Sequence, residues 1–260
     1  MKILALESTA KAASAALLED GRLVGEIYLN NGMTHSQTLL PMVRSLLDCS
    51  GWQMEQVNAC AVAAGPGSFT GLRIGIAAAK GLAFPFGIPC APVSTLEALA
   101  ENVSDFTGIV CAVMDARCRQ VYTARFRGGA GRLARLSPDE AISLEQLEKQ
   151  LKIYGESILL VGDGAQLCYN TFKSSDQPDD APSTPEILEE DRWKERLHIA
   201  KESRRYQRAS SVAAVAWRRI SQQLPGSLVE LGALAPEYLR LPQAERELRA
   251  RQAQQIQQAK

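Results

Sequence analysis

The sequence predicts an α/β protein made of two lobes with related topology. Three observations carry that expectation. Apolar strand-like runs follow one another through residues 2–29 before any helical pattern begins. Strands and helices then alternate to about residue 100. A strand meander starts again at Ile109, as though the first pattern were being repeated.

Lys2–Ser8 reads as a buried strand, Ala12–Leu18 as a second and Leu23–Leu29 as a third, with Glu19-Asp20-Gly21-Arg22 as the hairpin turn. Thr34 and Gln37 have capping-box spacing, and Leu39, Leu40, Val43, Leu46 and Leu47 then recur at helical spacing up to Ser50-Gly51. Pro41 requires that the first turn end near it or that the helix bend there. Val57–Ala64 reads as a buried strand broken by Gly65-Pro66-Gly67-Ser68, and Thr70–Phe84 as the helix that follows. A short strand is expected near Gly87–Val93, and Ser94 and Glu97 again have capping-box spacing before a short helix. The second pattern has strands at Ile109–Met114, Gln120–Phe126, Leu133–Leu136 and Ser157–Val161, a helix at Ser143–Leu151, and a final amphipathic helix at Ser211–Leu224. The lobes are expected at residues 1–103 and 104–215, with an acidic insert at 174–191, a late segment 216–260 packing back on the first lobe, and a polar tail after 242.

Composition narrows the functional classes. Lys and Arg number 29 and Asp and Glu 29, which excludes a generally basic nucleic-acid binder and leaves only a local basic face. No stretch reaches the length of a membrane span. Met1-Lys2 runs directly into Ile3-Leu4-Ala5-Leu6, with no basic leader or cleavage site, so the cytoplasm is the expected location. The 6 cysteines are widely spaced without a CxxC pair, which suits buried thiols in a reducing compartment. With only His35 and His198, a histidine-rich metal centre is excluded, and none is expected.

The sharpest local signal is Gly65 to Gly75, GPGSFTGLRIG, a strand feeding a glycine turn and then a helix. The free N–H groups of such a helix start suit an anion, but the pattern is neither a P-loop nor GxGxxG. Gly71, Gly75, Ala78 and Ala79 keep one side of that helix flat, fit for close packing inside the lobe or against another molecule. Glu7, Ser8 and Thr9 at the end of the first strand, and Asp115 with Arg117 at the matching turn of the second pattern, are candidates to hold a metal-bound phosphate across a cleft. The same residues also make sense as turn and ion-pair groups. Gly162-Asp163-Gly164 is a weak turn signal. His35 reads as a surface or interface histidine. Ser68 has no arranged base and no GxSxG elbow, which disfavours a peptidase. The basic run Arg192–Arg208 reads as a solvated surface, with RNA phosphate contact as the alternative.

Ile3–Thr9, His35–Pro41, Gly65–Gly75 with Ala79–Ala83, Val93–Ala100, Asp115-Ala116-Arg117 with Val121-Tyr122, and Pro236–Arg240 together resemble the TsaB (YeaZ) family. The sequence departs from it at Glu7, where aspartate is usual, and at Gln37 and Gln120, where glutamate is common. The resemblance implies a two-lobed fold of the actin, Hsp70 and sugar-kinase class, with ribonuclease-H-like lobes. It also implies a non-catalytic subunit needed for threonylcarbamoyl transfer to the adenosine beside the anticodon of ANN-decoding tRNAs. Its partners would be the catalytic paralogue TsaD and the ATPase TsaE, with a homodimer when alone and tRNA met only within the complex. No cofactor is expected for the isolated chain, with ATP and magnesium entering mainly through partners. The competing class is an ATP-dependent phosphotransferase using Glu7 and Asp115. The partner surface is expected on the two helices: His35, Leu39, Leu40, Val43, Leu46 and Leu47 on the first and Gly71, Gly75, Ala78 and Ala79 on the second, forming a four-helix contact.

Overall fold

The structure, a computed structural model, describes residues 1–174 and 193–240. Nearly all of the acidic insert, the tail after 242, and Arg192 of the basic run therefore lie outside the described residues.

The first sheet is formed by β1 (Lys2–Glu7), β2 (Ala13–Glu19), β3 (Arg22–Leu29), β4 (Ala59–Gly65) and β5 (Cys90–Ser94), in the order β3-β2-β1-β4-β5. β1 pairs antiparallel with β2 and parallel with β4. The β2–β3 hairpin closes through Asp20 and Gly21 at φ 49° and 81°, the paired left-handed conformation that matches strand twist. Helices α1 (His35–Ser50), α2 (Phe69–Ala83) and α3 (Thr95–Glu101) fill the connections. The second sheet comprises β6 (Gly108–Asp115), β7 (Gln120–Gly129), β8 (Arg132–Arg135), β9 (Glu140–Ser143), β10 (Ile158–Val161) and β11 (Leu197–Ile199), with β9 pairing on β7. Its path β8-β7-β6-β10-β11 repeats the first sheet's arrangement, since β6 is again antiparallel to its hairpin partner and parallel to the strand on its other side. This is a ribonuclease-H-like sheet used twice, the architecture of the actin, Hsp70 and sugar-kinase class. Helices α4 (Leu144–Lys152) and α5 (Ala165–Ser174) cover the second sheet, followed by α6 (Glu202–Arg205) and α7 (Ala209–Ser221).

Each sheet is buried on both faces. Leu4, Leu6 and Leu17 meet Leu39, Met42, Val43, Leu46 and Ile76 of α1 and α2. The opposite face is alanine-rich, with Ala5, Ala16, Ala59, Ala61 and Ala63, and these short side chains let Val212, Val215 and Ala216 of α7 settle close to the strands. In the second sheet, Ile109, Cys111 and Val113 pack with Leu147, Leu151 and Phe172, and the other face packs with Leu96 and Leu99 of α3. Full burial of a Val, Leu or Ile side chain contributes about 1.5–3 kcal/mol, so these layers hold the frame.

Several expectations change. Thr34 is the N-cap of α1 but makes no side-chain capping bond; its carbonyl accepts instead from Gln37 N–H at 3.0 Å and Thr38 Oγ1 at 3.3 Å. Pro41 lies inside a helix that continues past it. β9, α5, β11 and α6 were not foreseen; β9, β11 and α6 have 4, 3 and 4 residues, and the buried residues of α5 are Ala165, Cys168 and Phe172. The late helix begins earlier than expected. The expected boundary at 215 cuts through α7, which packs as one unit on the first sheet.

Candidate functional site

The ends of β1 and β6 meet at a cleft of about 510 Å³, lined by Thr9, Lys11, Ser68, Asp115, Arg117 and Asp163, with residues 237–240 along one side. Glu7 lies beneath it, fully buried, with Oε1 accepting from the Thr9 N–H and Thr9 Oγ1, both at 2.6 Å. Its Oε2 has no hydrogen-bond partner. Burial pushes the Glu7 carboxyl up to about 7, against the pull of the two Thr9 bonds, and the negative Asp163 adds to the upward push. Asp163 keeps some surface open to the cleft, yet crowding by protein atoms raises its pKa as well, opposed by the bond donated by Gln207 Nε2 at 3.2 Å. Asp115 is exposed, and its Oδ1 accepts from the backbone N–H of Arg117 at 2.7 Å, so a peptide group holds it where the sequence suggested a guanidinium.

Ser8 and Thr9 are buried turn groups pressed against the start of α2. Ser8 Oγ donates to the Gly71 carbonyl at 2.9 Å, and the Thr9 carbonyl accepts from Ser68 N–H at 2.7 Å. A Cβ on Gly71 would run into the Ser8 carbonyl, and one on Gly75 would stand 2.5 Å from Ser8 Oγ. The glycine motif therefore serves close approach of α2 to the end of β1. Asp163 was underrated by sequence reasoning. A signal existed, since a Cβ on Gly164 would stand 2.9 Å from the backbone N of Asp115, so the glycine pair brings the end of β10 against β6. Gln207 left no sequence signal.

The expected partner surface divides in two. Leu39, Val43 and Leu46 belong to the chain's own core, as does Ala79, while Gly71 and Gly75 face Ser8, so these six are internal and not partner-facing as expected. The physical reason is that α1 lies on an all-apolar sheet face and needs its full inward stripe there. Leu40 is 49% exposed, and Leu47 and Ala78 are half-buried. Leu40 and Leu47 line a largely apolar groove together with Leu82 and Phe86, which the sequence reading passed over, where α1 meets the end of α2; Phe84, just past that helix, is 75% exposed. His35 is half-buried, and its Nε2 is 2.7 Å from the Ala10 carbonyl, so it ties α1 to the loop after β1.

Ser68 caps α2, its Oγ accepting from Gly71 N–H at 3.3 Å, with no base placed to activate it. Among the described residues no three His, Cys, Asp or Glu side chains converge as metal ligands. The described arginines of the basic run are engaged within the chain. Arg204 pairs with Asp105, Arg208 donates to Glu26 at 2.8 Å, Arg196 to the Gly155 carbonyl at 2.9 Å and Arg205 to the Ala200 carbonyl at 3.0 Å. Among the described residues no helix is long and apolar enough to cross a membrane.

Residues 30–248 match the family model described as "TsaD: tRNA N6-adenosine threonylcarbamoyltransferase". The tRNA threonylcarbamoyladenosine biosynthesis protein TsaB of Escherichia coli is 36% identical over 179 residues, covering 67% of this chain and 77% of that protein. The chain belongs to the TsaB (YeaZ) family. The TsaB protein of Bacillus subtilis agrees, with 35% identity over 167 residues that cover 64% of this chain and 73% of that protein. YeaZ from Pseudomonas aeruginosa superposes with a TM-score of 0.70 at 27% identity, over 92% of this chain and 99% of its own. The TsaB-family fold thus extends through both sheets of this chain.

Proposed function

We propose that this chain is the non-catalytic partner subunit in threonylcarbamoyl transfer to the adenosine at position 37, beside the anticodon, of ANN-decoding tRNAs. It works in the cytoplasm as the scaffold for a TsaD-type transferase, with a TsaE-type ATPase joining the pair; ATP and magnesium enter mainly through those partners, and tRNA is met within the complex. The curated relatives carry threonylcarbamoyladenosine biosynthesis in their names. The observation that carries the partner role is the apolar groove of Leu40, Leu47, Leu82 and Phe86, with the exposed Phe84 just past the end of α2. An exposed patch of this kind on two adjoining helices suits a second helical pair. The same surface serves a homodimer when the partner is absent. Glu7, beneath the cleft, supports the non-catalytic part of the reading, because its carboxylate is closed off from the cleft and directed at Thr9.

Leu40→Arg combined with Leu47→Arg tests the reading, since neither side chain is fully buried in the fold. The double variant is expected to keep the native circular dichroism and melting temperature. It should lose co-purification with the transferase and fail to restore the modified nucleoside in a strain lacking this chain. Unchanged partner binding by the folded variant would remove the proposed face.

A competing phosphotransferase reading would use Glu7 and Asp115 around a metal-bound phosphate. Calorimetry with ATP and magnesium separates the two: the scaffold predicts no tight binding to the isolated chain, and binding that disappears in Glu7→Gln would favour the enzyme.

A further inference from the structure

The lobes are joined at their base by α3, whose Leu96 and Leu99 pack with the second sheet while the helix also touches α7 and β4. Asn102 closes the base, its side-chain amide donating to the Arg204 and Tyr206 carbonyls. At the mouth of the cleft a different connection is made, by the segment Pro236–Arg240. Upstream of it, Leu234 is buried in the first lobe's core. Glu237 N–H then donates to the Ala64 carbonyl at 2.7 Å, and Gly65 has no room for a side chain because the Glu237 carbonyl lies against it. The Tyr238 ring stacks on Phe69 at 5.0 Å between centroids. Arg73 lies 3.8 Å over the same Phe69 ring and donates through Nε to Tyr238 Oη at 3.1 Å. Two residues on, the Arg240 guanidinium crosses to the second lobe and donates to the Ala116 carbonyl.

We propose that Pro236–Arg240 is an inter-lobe clasp that sets how far the cleft opens, with Tyr238 as its seat on α2 and Arg240 as its catch on the second lobe. Four independent contacts hold the seat: a buried leucine, a backbone bond, a ring stack and an arginine shared between two rings. Among the described residues the catch is one charged donor on one neutral carbonyl. The clasp therefore releases at Arg240 first and stays attached to the first lobe when it does. Opening then becomes a hinge motion about α3. The inference concerns the cleft and stands apart from the partner face, so either can fail without the other.

The chain carries its own reporters. Cys49 on the first lobe and Cys118 on the second are exposed, and the other four cysteines are buried. Spin labels on this pair, diluted with unlabelled protein so that only distances within one chain are read, give the lobe-to-lobe separation. The native chain is expected to show one narrow distance. Arg240→Ala should broaden it and shift it to longer values, while hydrogen exchange at the Glu237 amide stays slow because the seat remains. Tyr238→Ala should broaden the distance and also speed exchange at Glu237. Identical distance distributions in the native chain and in Arg240→Ala would overturn the clasp. Arg240→Ala removes a single contact near the surface, so it decides the matter even if Tyr238→Ala perturbs folding.

Discussion

Glu7 shows how one side chain can carry two opposed demands. Its Oε1 organises the turn after β1 through both donors of Thr9, while its Oε2 is sealed without a partner. The fold raises this carboxyl from 4.5 to about 7, so between those values the folded chain holds more protons than the unfolded one. Stability must then fall as pH rises through that window, by as much as about 3 kcal/mol from this group alone. Glu7→Gln keeps an acceptor for Thr9 and carries no charge. Its melting temperature is expected to lose most of the decline between about pH 5 and about pH 8 and to exceed the native value at the upper end. A native pH slope in the variant would mean that another group holds the proton. The position of Glu7 at the end of a buried strand was legible from Ile3-Leu4-Ala5-Leu6 preceding it. Its closure was not, because that depends on α2 and on Asp163, 156 positions further on.

At the scale of elements, apolar periodicity located α1 but not its outward face. Leu39, Leu40, Val43, Leu46 and Leu47 span an arc wide enough to suggest surplus, yet Leu39, Val43 and Leu46 all face the sheet. A pattern of leucines states that a stripe is apolar and does not say how many layers it meets. The small residues of α2 were equally ambiguous. Gly71 and Gly75 exist because β1 ends against them, a long-range contact that a local window does not contain. Gly81 differs, since it is exposed and a Cβ there would meet nothing within 4 Å. Gly81→Ala should therefore raise unfolding stability by about 1 kcal/mol in denaturant titrations, the gap between glycine and alanine within a helix. A loss of stability would mean that the end of α2 is more crowded in solution than its exposure indicates. β1, β2, β4, β6 and β10 were legible because each is a nearly unbroken apolar run between turn residues. β9 and β11 were not, the first being four residues opening on Glu140 and the second three residues long with His198 in the middle.

Across the whole molecule, the charge balance that excluded a broad basic surface has a structural counterpart. Arg196, Arg204, Arg205 and Arg208 hold the returning chain in place. Arg208 donates to Glu26 on β3 and lies over the Tyr28 ring at 5.1 Å, while Glu26 also accepts from Ser210 N–H at 3.0 Å. This knot fixes where α7 begins. Arg208→Ala is expected to lower stability by about 1 kcal/mol, read as a lower denaturation midpoint, and to leave the salt dependence of tRNA binding by the assembled complex unchanged. A weaker salt slope with unchanged stability would instead make the side chain a phosphate contact. The repetition of the sheet was legible from the restart at Ile109. The attachment of α7 to the first sheet was only partly so, because an amphipathic helix does not announce which of two sheets it will cover.

That attachment has a consequence for the chain while it is being made. Among the described residues, the second sheet's core with α4 and α5 draws on residues 109–199. The first sheet's alanine-rich face stays bare until Val212, Val215 and Ala216 arrive, while its other face is covered early by α1 and α2 and gains Leu234 last. A ribosome adding about 5–20 residues per second therefore releases the first-made half incomplete and the second half able to close one face at once. The alanine-rich face of the first sheet is therefore made early and covered late. For those seconds the bare alanine face is the part of the nascent chain most in need of a chaperone.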